Sequence, residues 1–170
     1  MSNDYFKAQE IIANDYIGTN IVDAAWCSLL VNRLSYSGIS KANPLGGKHG
    51  NLSDLLARWN PNELIRRIRK VHKLSDLIEI TYINAIELIE EEYWNDNSTI
   101  FIDPPYVDKG KTLYHCYYTK EDHIELAQLL DSLHQGCPGA DIVLTYDYNE
   151  WLCHLYVYPK TEIIGRVYSA

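Results

Sequence analysis

Asp103, Pro104, Pro105 and Tyr106 follow directly on the apolar run Ile100-Phe101-Ile102. Residues of these types at this spacing describe a receptor for a planar base that carries an exocyclic amine. The carboxylate accepts from an amino group, the Pro104 carbonyl is an acceptor whose own residue has no N–H, and the Tyr106 ring offers a stacking face. Three apolar residues predict a buried parallel strand, and the two prolines end its ladder. Asp103 and Tyr106 are thereby placed at a carboxyl strand end, the edge at which open α/β sheets bind their ligands. An apolar-Asp-Pro turn also arises by chance, but four specified residues in a row behind a strand set a narrower condition.

The tetrapeptide resembles the catalytic Asp-Pro-Pro-Tyr motif of the amino-group DNA methyltransferases of the N6-adenine type, and within them the branch of the Dam-type enzymes. Upstream, Asn32-Arg33-Leu34-Ser35-Tyr36-Ser37-Gly38 is similar to the Asn-Arg, Ser-Tyr-Ser-Gly segment that precedes the catalytic strand in that branch. Downstream, Gly110-Lys111, Tyr114, Tyr117-Tyr118, His123 and Leu126-Ala127 resemble its loop and following helix, and Val143-Leu144-Thr145-Tyr146-Asp147 resembles its next core strand. The likeness runs from about Ala24 to the end of the chain.

The resemblance implies transfer of a methyl group from S-adenosylmethionine to the exocyclic amine of an adenine flipped out of double-stranded DNA. It implies Asp103, Pro104, Pro105 and Tyr106 as catalytic residues and Asn84 with Asp103 against the cofactor. Asn32, Arg33, Tyr36, Lys41, Lys109 and Lys111 are the expected DNA contacts. The amine of adenine is conjugated with its ring, so hydrogen bonds to Asp103 and the Pro104 carbonyl would draw the nitrogen toward a tetrahedral, nucleophilic geometry. Displacement at a sulfonium then depends chiefly on positioning and needs no metal. Flipping costs a few kcal/mol, partly offset by stacking on Tyr106.

Such enzymes also carry a Phe-x-Gly-x-Gly turn that lies against the cofactor, and no such glycine pair occurs before Asn32. Gly46-Gly47 lies in a polar stretch, and the acid expected near the cofactor's adenine corresponds to Asn84, which brings no charge. The expectation is therefore a truncated or split form, the catalytic half without the usual cofactor half. A second chain or a second copy would supply the remainder. The alternative is a catalytically inactive, methyltransferase-derived binding or regulatory module. Transfer to a cytosine, RNA or glutamine amine is a third option, against which Asp103 argues, since relatives acting there often begin the motif with Ser or Asn.

Composition fits one small globular chain: 170 residues, 46% hydrophobic and 22% charged. No apolar run approaches the ~18 residues of a membrane span and no signal peptide opens the chain, so a cytoplasmic location is expected. Cys27, Cys116, Cys137 and Cys153 form no Cys-x-x-Cys pair, which speaks against a disulfide framework or zinc site. His115, His123 and His154 suggest surface or packing roles. A net charge of −8 is unusual for a protein that meets phosphates. The charge is uneven, however: Arg58, Arg66, Arg67, Arg69, Lys70 and Lys73 crowd one stretch ahead of Glu87, Glu90, Glu91 and Glu92. That basic cluster is either a solvated helix face or a phosphate contact.

The elements expected to hold these residues follow from periodicity and caps. Helices are predicted over 5–14, 23–34 with Asp23 as cap, and from Asn60-Pro61 through Leu64, Ile65, Ile68 and Val71 on one apolar face. A polar loop fills 35–52. Next come a strand over 77–83, a helix over 85–94 and the catalytic strand over 98–103. A helix capped by Thr119 with Asp122 carries Ile124, Leu126, Leu129, Leu130 and Leu133 toward the sheet. Gly136 to Gly139 ends it, and a strand over 141–146, a helix over 149–155 and a strand over 161–168 complete the chain. The predicted fold class is α/β. It is a partial Rossmann-like class I methyltransferase fold with a mainly parallel sheet, plus an amino-terminal helical and loop target-recognition segment. Residues 1–75 form that segment and 76–170 the catalytic part, within one compact unit.

Overall fold

The computed structural model describes residues 2–113, 115–156 and 160–165; Met1, Tyr114, 157–159 and 166–170 lie outside the described residues. The chain divides into two compact units, Met1–Thr81 with Lys111–His115, and Tyr82–Gly110 with Cys116–Ala170.

The first unit opens with α1 (Ser2–Ala13) and α2 (Ile21–Leu34). Asn20, not Asp23, caps α2: its side-chain oxygen accepts from the N–H groups of Val22 and Asp23, both at 3.0 Å. The apolar periodicity hid this start, because Ile21 and Val22 point to solvent, 85% and 72% exposed, and add nothing to the buried face. An extended Asn with a free oxygen outweighs that pattern at a helix start. Asp23 serves instead in the first turn, accepting from the Asn20 amide at 2.6 Å.

Tyr5 and Ala8 of α1 meet Cys27, Val31 and Leu34 of α2, with Leu55 of the short α3 (Leu52–Leu55) closing the cluster. The loop after α2 is tied to that core. The Tyr5 hydroxyl donates to the Ala42 carbonyl at 2.7 Å, and burial pushes this phenol up to about 12. Gln9 reaches the carbonyls of Ser40 and Ala42 at 2.6 and 3.0 Å. Ser35 and Pro44 form an antiparallel bridge. The expected helix behind Asn60-Pro61 is α4 (Pro61–His72), capped by Asn60. None of its residues is buried, so its apolar side is amphipathic without being packed. Alternation over 77–83 predicted a strand. The chain instead makes a short 3-10 turn at Ser75–Leu77 and runs on without a ladder partner among the described residues, leaving Ile80 and Tyr82 90% and 91% exposed. Alternation sets which face a strand would bury, but a ladder needs a neighbour.

In the second unit α5 (Ala85–Glu92) leads into β1 (Thr99–Ile102). The turn α6 (Gly110–Leu113) follows, then α7 (Lys120–Gln135), β2 (Asp141–Leu144) and α8 (Glu150–Leu155). Helix α7 starts with the expected capping box: the Thr119 hydroxyl accepts from the Asp122 N–H while the Asp122 carboxylate accepts from the Thr119 N–H at 2.7 Å. β1 and β2 run parallel in the register Thr99↔Asp141 to Ile102↔Leu144, a two-stranded sheet among the described residues. Ile100, Ile102, Ile142 and Leu144 form one cluster with Ile89 and with Leu126, Leu129, Leu130 and Leu133 of α7. The opposite face is open. Phe101 and Val143 are 65% and 45% exposed, so β1 is buried on one face instead of the two expected. Residues 161–165 join no strand, and the rest of the last predicted strand lies outside the described residues. The molecule is thus a mixed α/β chain with a small parallel sheet.

Candidate active site

Asp103 is the first residue beyond β1, where prolines have removed the next two ladder donors. The ladder's last bond runs from the Thr145 N–H to the Ile102 carbonyl at 3.0 Å. Thr145 also acts through its side chain, its hydroxyl donating to Asp103 Oδ1 at 2.9 Å. Asp103 Oδ2 has no hydrogen-bond partner among the described residues. The carboxylate is exposed, Pro104 behind it is buried, and Pro105 and Tyr106 are half-buried.

The segment behind the motif is pinned at two points. The Tyr106 carbonyl accepts from the Gly110 N–H at 2.8 Å, and the Asn149 amide donates to the Asp108 carboxylate at 2.9 Å. Asn149 uses its oxygen at the same time to cap α8. An open groove of about 440 Å³ runs along β1, between it and Ala85, Leu88, Ile89 and Glu92 of α5. It ends at Asp103, Pro104, Pro105 and Tyr118. That place suits a flat ligand: an apolar floor, an anchored carboxylate at one end and a ring beside it.

Beneath the strand end lies His123, 1% exposed. Its Nδ1 is 2.8 Å from the Tyr146 hydroxyl, while its Nε2 is buried without a partner among the described residues. The rings of Tyr118 and Trp151 flank it at 5.3 and 6.2 Å. Burial pushes the imidazole down from its ordinary value of 6.5, against the smaller upward pull of the Asp122 carboxylate. Burial likewise pushes the Tyr146 phenol far up, with Tyr156 adding to it.

The other residues singled out in the sequence are distributed over both units. Asn84 caps α5, accepting from the Ile86 N–H at 2.9 Å. Arg33 gives its Nη2 to the Arg58 carbonyl at 2.7 Å, and Arg58 donates back to the Ser35 carbonyl at 3.2 Å. Asn32 is exposed and abuts Gly38, whose φ of +78° is in the left-handed region open to glycine. Tyr36 is exposed, and Lys41 donates to the Lys111 carbonyl at 3.1 Å. Lys109 and Lys111 have exposed side chains. Thr145 was missed as a site residue. Its signal in the sequence was weak, a hydroxyl at the end of the neighbouring strand, 42 positions from the carboxylate it anchors.

S-adenosylmethionine fits these residues only in part. The positive-φ glycines among the described residues, Gly18, Gly38, Gly46 and Gly47, all belong to the first unit, and none of them follows a strand of the sheet in the chain. Asn84 has its oxygen engaged in the helix cap. The described residues offer an amine receptor, not a complete cradle for a sulfonium nucleoside.

Fold and site together describe a mixed α/β chain with a carboxylate and an aromatic turn at the carboxyl end of a parallel strand. The family model for the D12 class N6 adenine-specific DNA methyltransferases matches residues 2–168, and the chain belongs to that family. Members of the family methylate adenine N6 in DNA and use S-adenosylmethionine as donor. No curated protein and no solved structure matches the chain. No helix among the described residues is long and apolar enough to cross a membrane.

Proposed function

We propose that this chain is the catalytic half of a site-specific adenine-N6 DNA methyltransferase, with a partial Rossmann-like sheet. The observation that carries this reading is the Asp103 carboxylate, held through Oδ1 by Thr145 while Oδ2 is left for an incoming donor. A flipped adenine would give one amine hydrogen to Oδ2 and the other to the Pro104 carbonyl. Both acceptors pull the lone pair out of conjugation, and Tyr106 stacks on the ring. Asn32, Arg33, Tyr36, Lys41, Lys109 and Lys111 are assigned to the duplex, Asn84 and Asp103 to the cofactor side. The helical and loop part, 1–75, is assigned to target recognition and 76–170 to catalysis, in the cytoplasm. S-adenosylmethionine would supply the electrophilic methyl group. The missing part of its cradle is assigned to a second chain or a second copy, which the edge of β1, unpaired among the described residues, and the exposed Phe101 and Val143 favour.

The absent glycine turn also favours a second reading, a catalytically inactive binding or regulatory module. Calorimetric titration of S-adenosylmethionine into the chain, beside Asp103→Ala, separates the two when joined to a DNA methylation assay. Cofactor binding with methyl transfer that Asp103→Ala abolishes upholds the catalytic reading. Absence of transfer both alone and with a cofactor-binding methyltransferase chain added would leave the inactive module.

A further inference from the structure

Five of the fifteen Lys and Arg residues, Arg66, Arg67, Arg69, Lys70 and Lys73, stand within eight positions of a chain whose net charge is −8. The nearby acid, Glu63, is already committed. Arg66 donates to both its oxygens at 2.8 and 2.7 Å, and Arg67 to one at 2.7 Å. These hydrogen bonds, Arg66 first, hold the Glu63 carboxyl down to about 2, so it stays ionised and bound to its own helix. Arg69, Lys70 and Lys73 have no hydrogen-bond or ion-pair partner among the described residues.

Helical spacing then sorts the side chains. Asn62, Arg66, Arg69 and Lys73 recur at four, three and four positions, one line along α4, with Lys70 beside it. With Ile65 they line an open groove. From Arg66 to Lys73 the helix rises roughly 10 Å, about the axial rise of three phosphates along one strand of a duplex. No residue of α4 is buried, so the face is presented without competition from the core.

We infer that the face of α4 formed by Asn62, Arg66, Arg69, Lys70 and Lys73 is the surface that takes the phosphodiester backbone of double-stranded DNA. The inference rests on the chain's acting on DNA, not on its turnover. An anionic membrane is the competing occupant, because Ile65, Ile68 and Val71 are 46%, 52% and 60% exposed. α4 has no Trp or Phe and a single Leu, Leu64, among its twelve residues, few of the anchors usual in helices that lie in a lipid interface. Cations that contact phosphate fix position and carry no base sequence, so the surface contributes affinity and orientation.

The test is fluorescence anisotropy of the full chain on a short mixed-sequence duplex, over about 50 to 200 mM salt. Arg69→Ala/Lys70→Ala/Lys73→Ala should flatten the plot of log affinity against log salt by about 2.7, three lost contacts at about 0.9 each. A control losing Lys7, Lys48 and Lys160 should keep the wild-type slope. The Gln versions of the same three substitutions repeat the test should the Ala variant lose helix. Equal slopes overturn the inference, as does absence of duplex binding by the wild type. Binding of phosphatidylserine vesicles in place of duplex overturns it too. A chain that binds duplex through α4 but transfers no methyl group, alone or with a cofactor-binding methyltransferase chain added, upholds the surface and removes the catalytic reading; methylation with equal slopes does the reverse.

Discussion

Thr145 donates to one Asp103 oxygen, and that bond decides which oxygen faces the substrate. A hydrogen bond to a charged group contributes about 1.5–3 kcal/mol. Thr145→Val should therefore lower kcat at least about tenfold in the methylating assembly, with KM for DNA little changed, while Thr145→Ser keeps most activity. Methyl incorporation from labelled S-adenosylmethionine measures both; an unchanged kcat in the valine variant would remove Thr145 from the site. His123 makes a separate prediction. Burial lowers its folded pKa, so the unfolded chain takes up the proton first. Its contribution is fully present above pH 6.5, the ordinary value, and is lost as pH falls through it. The urea midpoint should drop between about pH 7.5 and 5.5, and His123→Gln should flatten that drop. His115, also lowered chiefly by burial, keeps a share of it.

At the scale of elements, β1 shows that one strand can hold opposite fates in adjacent residues. Ile102 is buried against α7 and Phe101 is 65% exposed. Ile102→Ala should cost about 2–4 kcal/mol through lost transfer and a cavity. Phe101→Ser should cost under about 0.5 kcal/mol, the range of surface changes. Chemical denaturation of both variants checks this pair, and equal losses would mean that the open face is covered in solution. Helix α7 was legible in the sequence because its start and its face are local matters: Thr119 and Asp122 are three residues apart, and Leu126, Leu130 and Leu133 share one stripe. The start of α2 was read three residues late because exposed Ile21 and Val22 imitate no buried face. The segment 77–83 was misread for another reason, since alternation is a local pattern while a ladder partner is not.

At the scale of the molecule, the sheet has two strands and an unpaired β1 edge among the described residues. Unpaired ladder groups beside exposed Phe101 and Val143 favour strand addition or self-association. Light scattering after gel filtration should show concentration-dependent association, weakened by Phe101→Lys, which places a charge on the open face. A cooperatively folding monomer at all concentrations would count against a second chain or copy at this edge. The acidic balance of the whole chain does not oppose DNA binding, because four of its cations are gathered on α4 and a fifth, Lys73, caps its end. Electrostatic contact with a duplex depends on local charge more than on the total, since salt screens charges beyond about 8–10 Å.

The sequence by itself determined what short-range chemistry controls. The order Asp103, Pro104, Pro105, Tyr106 behind an apolar run specifies a strand that must end and acceptors where it ends, and the capping box specifies where α7 begins. Belonging to the adenine-N6 family was legible from the same residues together with their neighbours up and down the chain. Tertiary structure alone decided which Asp103 oxygen is anchored, which face of β1 is covered, and that α4 is presented to solvent while α1 and α2 pack. These outcomes depend on groups tens of residues apart meeting in space, and no local pattern of types and spacing records such a meeting.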